Sequence, residues 1–192
     1  MFKELKNVSY METKTSNRTK SSSRDTMEKN SLLEKFFIEE LRDIYDAEKQ
    51  IVKALPKMKK AASSPQLAQA FEQHIAETNI QINRLKEVFE LFGEKATAKT
   101  CDAMEGLIDE GEQVIQDTDD NTSTRDVGLI FAAQKIEHYE IASYGGLAQL
   151  ARTMDRNDVA EILATTLNEE IETDRLLTEI AENSVNYQAS EE

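Results

Sequence analysis

Apolar residues recur every three or four positions along most of the chain, which is the spacing of one face of an α-helix. Strict alternation of apolar and polar residues, the pattern of a half-buried strand, is absent. The pattern predicts four long helices of similar length, at residues 31–62, 65–92, 124–153 and 156–183. A shorter apolar stripe predicts a further helix at 101–117.

Local signals mark several of the predicted helix ends. Ser31 followed by Glu34 has the form of a capping box, which would begin the first helix. Pro65 is suited to the first position of the second helix, and Gly93 is suited to its end. Pro56 lies inside the first helix and predicts a kink or the end of its straight part.

The lengths of the connections predict the topology. The first two long helices are joined by a tight turn, and so are the last two, so each pair must form an antiparallel hairpin. About 30 residues, including the short helix, connect the two hairpins, which is the ferritin-like connectivity. The sequence therefore predicts an all-α, ferritin-like antiparallel four-helix bundle at 30–186, with an extra short helix in the long crossover and a C-terminal tail at 187–192.

Charge divides the chain into a basic start and an acidic body. The formal net charge is −14, yet residues 1–30 hold seven Lys or Arg against four Asp or Glu. Residues 1–29 are rich in Ser and Thr and poor in apolar residues, which predicts a disordered basic tail. An acidic body repels nucleic acid and anionic membranes and attracts cations.

Cysteine content and hydropathy predict the compartment. Cys101 is the only cysteine, which excludes an intramolecular disulfide and favours a reducing compartment. No apolar run approaches the length of a membrane span, and the N-terminus lacks the apolar core of a secretory signal. We therefore expect a cytoplasmic protein.

Each long helix carries an acidic residue or a histidine at a position of its apolar stripe. The stripe positions are Glu48, His74, Glu140, Glu170 and Asp174, and Glu77 and Glu137 lie three residues from His74 and Glu140. Helix midpoints meet in antiparallel hairpins, so these side chains should converge in one layer. Burying a carboxylate costs several kcal/mol unless it is compensated, and the stripes offer no matching Lys or Arg. Either a bound cation neutralises the layer, or the acids extend to solvent.

The predicted ligand types favour a particular metal. Carboxylates with one imidazole and no thiolate suit iron or manganese, and bridging carboxylates suit a pair of ions. Calcium prefers loop oxygens around Gly and Asp, and structural zinc prefers Cys or more His. The hypothesis is a dinuclear iron or manganese centre.

The chain also resembles a known family. The segments that carry the resemblance are ELRDIYDAEKQIVKALPKM, FEQHIAETNIQINRL, CDAMEGLIDEG, AAQKIEHYEIASYGGLAQLA and LNEEIETD. They look like the YciE/YciF family of ferritin-like bacterial stress proteins and extend over 31–183. The resemblance implies a homodimer in the bacterial cytoplasm with a role in stress responses.

The run Glu137-His138-Tyr139-Glu140 is similar to the third-helix motif of rubrerythrins. That resemblance implies that Glu137 and Glu140 are both ligands of a di-iron site. Ferritins and rubrerythrins have Glu-x-x-His on the second helix, whereas here the order is His74-x-x-Glu77.

The sequence leaves the candidate ligands on the last and the first long helix undecided. On the last long helix the expected Glu-x-x-His is replaced by Glu170-x-x-x-Asp174, without a histidine. On the first helix the stripe favours Glu48 as a ligand, but Asp43 is an alternative because Asp43-x-Tyr45-Asp46 is similar to Glu137-x-Tyr139-Glu140.

Several other residues carry weaker expectations. Glu105 in the crossover helix is a weaker candidate ligand, and Cys101 is a candidate cap of that helix. Tyr139 and Tyr144 are expected near the carboxylates, and Gly145-Gly146 predicts the close approach of the crossover or of a dimer partner.

Two classes of function follow from the predicted site. The first is a di-iron or di-manganese oxidoreductase of the ferroxidase or peroxidase type, acting on Fe(II), O₂ or peroxide. The second is a non-catalytic dimeric stress protein with a structural, vestigial or metal-free site.

Overall fold

The computed structural model describes residues 22–192, with side chains from residue 32 onward. All the regular secondary structure in this part of the chain is helical, with no strand. The helices are α1 (Ser22–Ala61), α2 (Pro65–Leu91), α3 (Asp102–Asp117), α4 (Ser123–Thr153), α5 (Asn157–Ile180) and α6 (Asn186–Ala189), with a π-helical turn (Ala181–Val185) between α5 and α6.

The four long helices form one bundle. α1 packs against α2 and α4 packs against α5, while α1 also contacts α4 and α2 contacts α5. The crossover helix α3 lies against α1 and α4. The apolar stripes meet in a single buried core to which all five of these helices contribute. The predicted all-α bundle with a helix in its long crossover is confirmed.

Side chains and backbone geometry define the helix ends as the sequence indicates. The Ser64 hydroxyl accepts a hydrogen bond from the Leu67 amide at 3.3 Å, directly before Pro65 begins α2. Gly93 has φ +68°, which a glycine adopts without strain, and the chain leaves α2 there. Cys101 caps α3, since its sulfur accepts the Met104 amide at 3.4 Å.

The beginning of α1 differs from the prediction. The helix starts at Ser22, so Ser31 lies inside it and is not its N-cap. No Gly or Pro occurs between these positions, so nothing in the local sequence ends the helix there. At the other end, α1 continues past Pro56 to Ala61. The part of the predicted tail at residues 1–21 lies outside the described residues.

The C-terminal residues pack back onto the bundle. α6 reaches Ala189, inside the segment predicted as a tail, and the Glu192 carboxylate accepts the Ser123 and Thr124 amides at 2.7 and 3.0 Å. These amides are free because they begin α4, and a carboxylate is favourable at a helix N-terminus.

Within this chain, the close approach to a glycine occurs at a different position from the predicted pair. A Cβ atom placed on Gly146 would meet no described atom of this chain within 4 Å, and at Gly145 it would only touch the Leu167 side chain. A Cβ on Gly128 would lie 2.6 Å from Val114 Cγ1. The crossover helix therefore approaches α4 at Gly128, and the expectation that it approaches Gly145-Gly146 is wrong.

Asp126 ties the two hairpins together at one end of the bundle. Its buried carboxylate accepts the amides of Ser63 and Ser64 at 2.8 and 2.7 Å, in the turn between α1 and α2. We expect Asp126→Ala to destabilise the protein by about 2–3 kcal/mol, because two amides lose their partner. Asp119→Ala, at an exposed position, should change the free energy of unfolding by less than about 0.5 kcal/mol. Urea denaturation of both variants tests this, and equal stabilities would contradict it.

Within residues 22–192, no helix combines the length and the apolar character needed to cross a membrane.

Candidate metal centre

Polar side chains from all four long helices meet inside the bundle. They are Glu48 from α1, His74 from α2, Glu137 and Glu140 from α4, and Glu170 from α5. None is more than 3% exposed. They are buried because each occupies a position on the apolar face of its helix, and the four faces point to one axis.

Four of these residues form a compact group of potential metal ligands. One donor atom each from His74, Glu137, Glu140 and Glu170 lies within 4.8 Å of the other three. Donor atoms around a single metal ion lie up to about 4.4 Å apart, because metal–ligand bonds to nitrogen and oxygen are about 2.0–2.2 Å long, so the group is close to the size of a metal site.

His74 lies between carboxylates from two helices. Its Nδ1 is 3.1 Å from Glu137 Oε1 on α4, and its Nε2 is 3.7 Å from Glu170 Oε2 on α5. Burial alone would lower the pKa of His74, but the charge and hydrogen bond of Glu137 outweigh burial and raise it. The imidazole therefore sits in a strongly negative environment that also favours a metal cation.

Glu48 faces this group from α1 and is held by a tyrosine. The Tyr144 hydroxyl donates a hydrogen bond to Glu48 Oε1. Burial raises the pKa of Glu48 to about 7, and the hydrogen bond from Tyr144 and the charge of His74 partly oppose that rise. Burial also raises the pKa of Tyr144 well above its ordinary value, so the phenol stays protonated and serves as a hydrogen-bond donor.

The remaining carboxylates raise one another's proton affinity. Burial, followed by the charges of Glu48 and Glu170, raises the pKa of Glu140 well above its ordinary value. Burial, followed by the charges of Glu137 and Glu48, raises the pKa of Glu170 to about 11. Without a cation Glu170 holds a proton at neutral pH, and a bound cation would displace it.

The buried atoms that lack hydrogen-bond partners test whether a metal fits. Seven such atoms belong to this region: Glu48 Oε2, His74 Nε2, Gln81 Oε1, Glu137 Oε2, both carboxylate oxygens of Glu140, and Glu170 Oε2. An unpaired buried polar atom costs about 1–3 kcal/mol, so a cluster of seven calls for a missing partner. The donors are carboxylate oxygens with one imidazole, which suits iron or manganese.

No Lys or Arg side chain of the described residues pairs with these buried atoms. Among the described residues, Arg125 is the only buried Lys or Arg, and it binds the C-terminal end of α3 through the Ile115 and Thr118 carbonyl oxygens. The residues present therefore fit a bound metal cation better than an internal salt bridge.

Several predicted candidates lie outside the group. Glu77 is half-buried on a surface groove of α2 and accepts a hydrogen bond from Gln73 at 2.9 Å. Asp174 accepts a hydrogen bond from Gln134 at 3.1 Å and lies 3.5 Å from the exposed His138. Glu77 is three residues from His74 and Asp174 is four from Glu170, so they point about 60° and about 40° away from the directions of those side chains.

The two weaker candidates also lie elsewhere. Asp43 is half-buried and accepts a hydrogen bond from the Tyr139 hydroxyl at 2.7 Å, and Tyr139 in turn contacts the Cys101 sulfur at 3.0 Å. Glu105 is exposed on α3. Of the two alternatives on the first helix, Glu48 is the one that faces the buried group.

One buried polar residue near the group was missed by the sequence reasoning. Gln81 on α2 is fully buried, and its Nε2 donates a hydrogen bond to Glu170 Oε1. The sequence could have indicated its burial, because the helical stripe of α2 has a gap between Thr78 and Leu85, and Gln81 occupies that gap.

Comparison with known proteins gives consistent matches. A model of the family described as "Domain of unknown function (DUF892)" matches residues 32–190. Protein YciF of Escherichia coli (strain K12) is 48% identical over 158 residues, which are 82% of this chain and 95% of that protein.

Solved structures are similar over most of the chain. The crystal structure of the E. coli stress protein YciF has a TM-score of 0.76 and 48% identity, over 80% of this chain and 97% of that one. YcfI from Rhodopseudomonas palustris has a TM-score of 0.74 and 40% identity, over 76% of this chain and 92% of that one. A protein from Xanthomonas campestris pv. campestris has a TM-score of 0.67 and 26% identity, over 83% and 97%. The resemblance to the YciE/YciF family is confirmed.

Proposed function

Because this chain belongs to the DUF892 family and resembles the stress protein YciF, we propose that it is a ferritin-like stress-response protein with a buried dinuclear metal centre. In this proposal the centre holds two iron or manganese ions and oxidises Fe(II) or reduces peroxide or O₂. The observation that carries it is the group of unpaired buried donors on four helices, with no buried Lys or Arg next to them among the described side chains to neutralise them.

The chain's own residues have distinct tasks in this proposal. Glu137, Glu140, Glu170 and His74 would hold the ions, with Glu48 completing the set from α1. Two bound ions of this kind supply paired one-electron steps to an oxidant. The helices fix the separation of the donors before the ions bind, so little reorganisation is needed.

Two features of the surroundings support redox chemistry. The donors are almost completely buried, so bulk water is kept from the centre and electrostatic interactions there are strong. Tyr144 keeps its phenol proton and holds Glu48 Oε1, which leaves Glu48 Oε2 without a partner. A ligand carboxylate whose second oxygen is hydrogen-bonded is oriented before it meets a metal.

The second candidate function is that of a non-catalytic dimeric structural or binding protein. Large apolar side chains are exposed on two neighbouring helices, with Phe36 at 53% on α1 and Phe131 at 65% on α4. Exposed aromatic side chains of this kind favour association with a partner. A homodimer in the cytoplasm is compatible with both candidates and belongs to the proposal.

Metal content and oxygen consumption distinguish the candidates. We expect the full-length protein to bind two Fe(II) or Mn(II) ions per chain and to consume O₂ or peroxide when Fe(II) is added in excess. Glu137→Gln should lower metal affinity at least tenfold, because it removes a charged donor, whereas Glu161→Gln at an exposed position of α5 should not. Metal binding without oxidant consumption would favour the non-catalytic candidate, and absence of metal binding would refute the proposed centre.

A further inference from the structure

Gln81 is the one buried amide side chain in the described part of the chain. It lies seven residues after His74, about two turns further along α2 and on the same face. A buried amide is costly unless its polar atoms have hydrogen-bond partners or bind a ligand. Because Gln81 lies beside the candidate ligands, its polar atoms are available to those ligands and to a bound ion.

The nitrogen of Gln81 is held between two acidic residues. Nε2 donates to Glu170 Oε1 and also lies 3.2 Å from Glu169 Oε2. Glu169 is itself fixed by Arg84, whose Nη2 donates to Glu169 Oε1 at 2.7 Å. This chain of contacts runs from the half-buried Arg84 to the buried Glu170, so the Gln81 amide cannot turn without breaking it.

The contact to Gln81 leaves Glu170 with one free oxygen. Glu170 Oε2 has no partner, and it lies 3.7 Å from His74 Nε2, which has none either. Two metal–ligand bonds of about 2.1 Å can span that separation at a bond angle of about 120°. Gln81 therefore orients Glu170 so that a single oxygen and the imidazole are available to one ion.

The oxygen of Gln81 places an uncharged polar atom beside the candidate ligands. Oε1 is buried and has no partner, and it lies at the same end of the side chain as the nitrogen that binds Glu170. Four carboxylates, Glu48, Glu137, Glu140 and Glu170, carry four negative charges when ionised, which two divalent ions balance. A glutamate at position 81 would add a fifth charge and would favour ions of higher charge.

We propose that Gln81 is a positioning residue of the metal centre, which presents Glu170 as a one-oxygen ligand, and that its neutral amide sets the preference of the centre for divalent over trivalent ions. This inference rests on the proposed function, since it requires that the buried group binds metal.

Two substitutions at position 81 and one matched control test the inference. Gln81→Met keeps the size of the side chain and removes both polar atoms, and Gln81→Glu keeps the size and adds a charge. Gln134→Glu is the control, because Gln134 also donates to an acidic residue, Asp174, but outside the centre. The full-length proteins are titrated with Mn(II) and, against citrate as a competing chelator, with Ga(III).

We expect Gln81→Met to lower Mn(II) affinity at least tenfold, as loss of an orienting partner does at other metal sites. Gln81→Glu should raise the ratio of Ga(III) to Mn(II) affinity at least tenfold. Gln134→Glu should leave both quantities within about twofold of the wild type. The absorption spectrum of bound Co(II), which reports ligand geometry, should change in both variants at position 81 and not in the control.

The possible results separate this inference from the proposed function. If the wild type binds two Mn(II) ions and both Gln81 variants match it in affinity and Co(II) spectrum, the role of Gln81 is refuted and the metal centre stands. If the wild type binds no metal, both are refuted. If Gln81→Met does not fold, Gln81→Glu decides, and an unchanged Ga(III) to Mn(II) ratio overturns the inference.

Discussion

We expect Glu140→Leu to remove tight binding of the second ion of the proposed metal centre and to stabilise the metal-free protein. Both carboxylate oxygens of Glu140 are buried without partners, and burial together with Glu48 and Glu170 disfavours their charge. Replacing a poorly compensated buried acid by an apolar residue of similar volume is often stabilising, here by about 1–3 kcal/mol. Elemental analysis and urea denaturation in the presence of a chelator measure the two effects.

The matched control for this variant is Glu161→Leu on the exposed face of α5. It should leave metal content unchanged and alter the free energy of unfolding by less than about 0.5 kcal/mol. A structural role for Glu140 predicts the opposite of our expectation, namely unchanged metal content with a clear loss of stability in Glu140→Leu. That outcome would end the assignment of Glu140 as a ligand.

The metal-free protein will lose stability as the pH rises from 5.5 to 8. Burial raises the pKa of Glu48 from its ordinary value to about 7, and the neighbouring Glu137 raises that of His74 against the effect of burial. Both groups bind protons more tightly in the folded state, so their contribution is complete at low pH and is lost as the pH passes their folded pKa values. For Glu48 this amounts to a loss on the order of 2 kcal/mol over this range.

Added Mn(II) should reverse that trend. Protons and the cation compete for the same carboxylates, so metal affinity and metal-dependent stabilisation should both increase with pH. Urea denaturation at several pH values, with chelator and with Mn(II), measures this. Glu48→Gln should reduce the pH dependence of the metal-free protein, with Glu170 still contributing to it, whereas Glu161→Gln should leave it unchanged. Stability that rises between pH 5.5 and 8 in the presence of chelator would contradict the prediction.

Helix identity and connectivity could be predicted because they depend on local periodicity. The apolar stripes of α2, α4 and α5 are long and regular, so the predicted and observed bounds differ by only a few residues. The start of α1 could not be placed in this way. A capping signal such as Ser31 is a weak local preference, and a continuous polar helix overrides it when no Gly or Pro intervenes.

The buried group was predicted only in part, because the direction of a side chain around its helix axis decides whether it reaches the core. Residues that break a stripe at its centre, such as Glu48, His74 and Glu140, lie in the buried group because the stripe itself is buried. Residues three or four positions away can lie on either side of the boundary between core and surface. Glu137 lies inside that boundary, whereas Glu77 and Asp174 lie outside it.

The sequence by itself determined the four amphipathic helices, their two hairpins and the acidic or histidine residue in the middle of each stripe, since helical periodicity is a local property. The tertiary structure alone decided the partners: that Glu48 and not Asp43 faces the buried group, that His74 lies between Glu137 and Glu170, and that Gln81 holds Glu170. These contacts join residues that are far apart in the sequence, by as many as 96 positions. They depend on how far each helix is rotated and shifted when the four faces pack together, which no single stripe specifies.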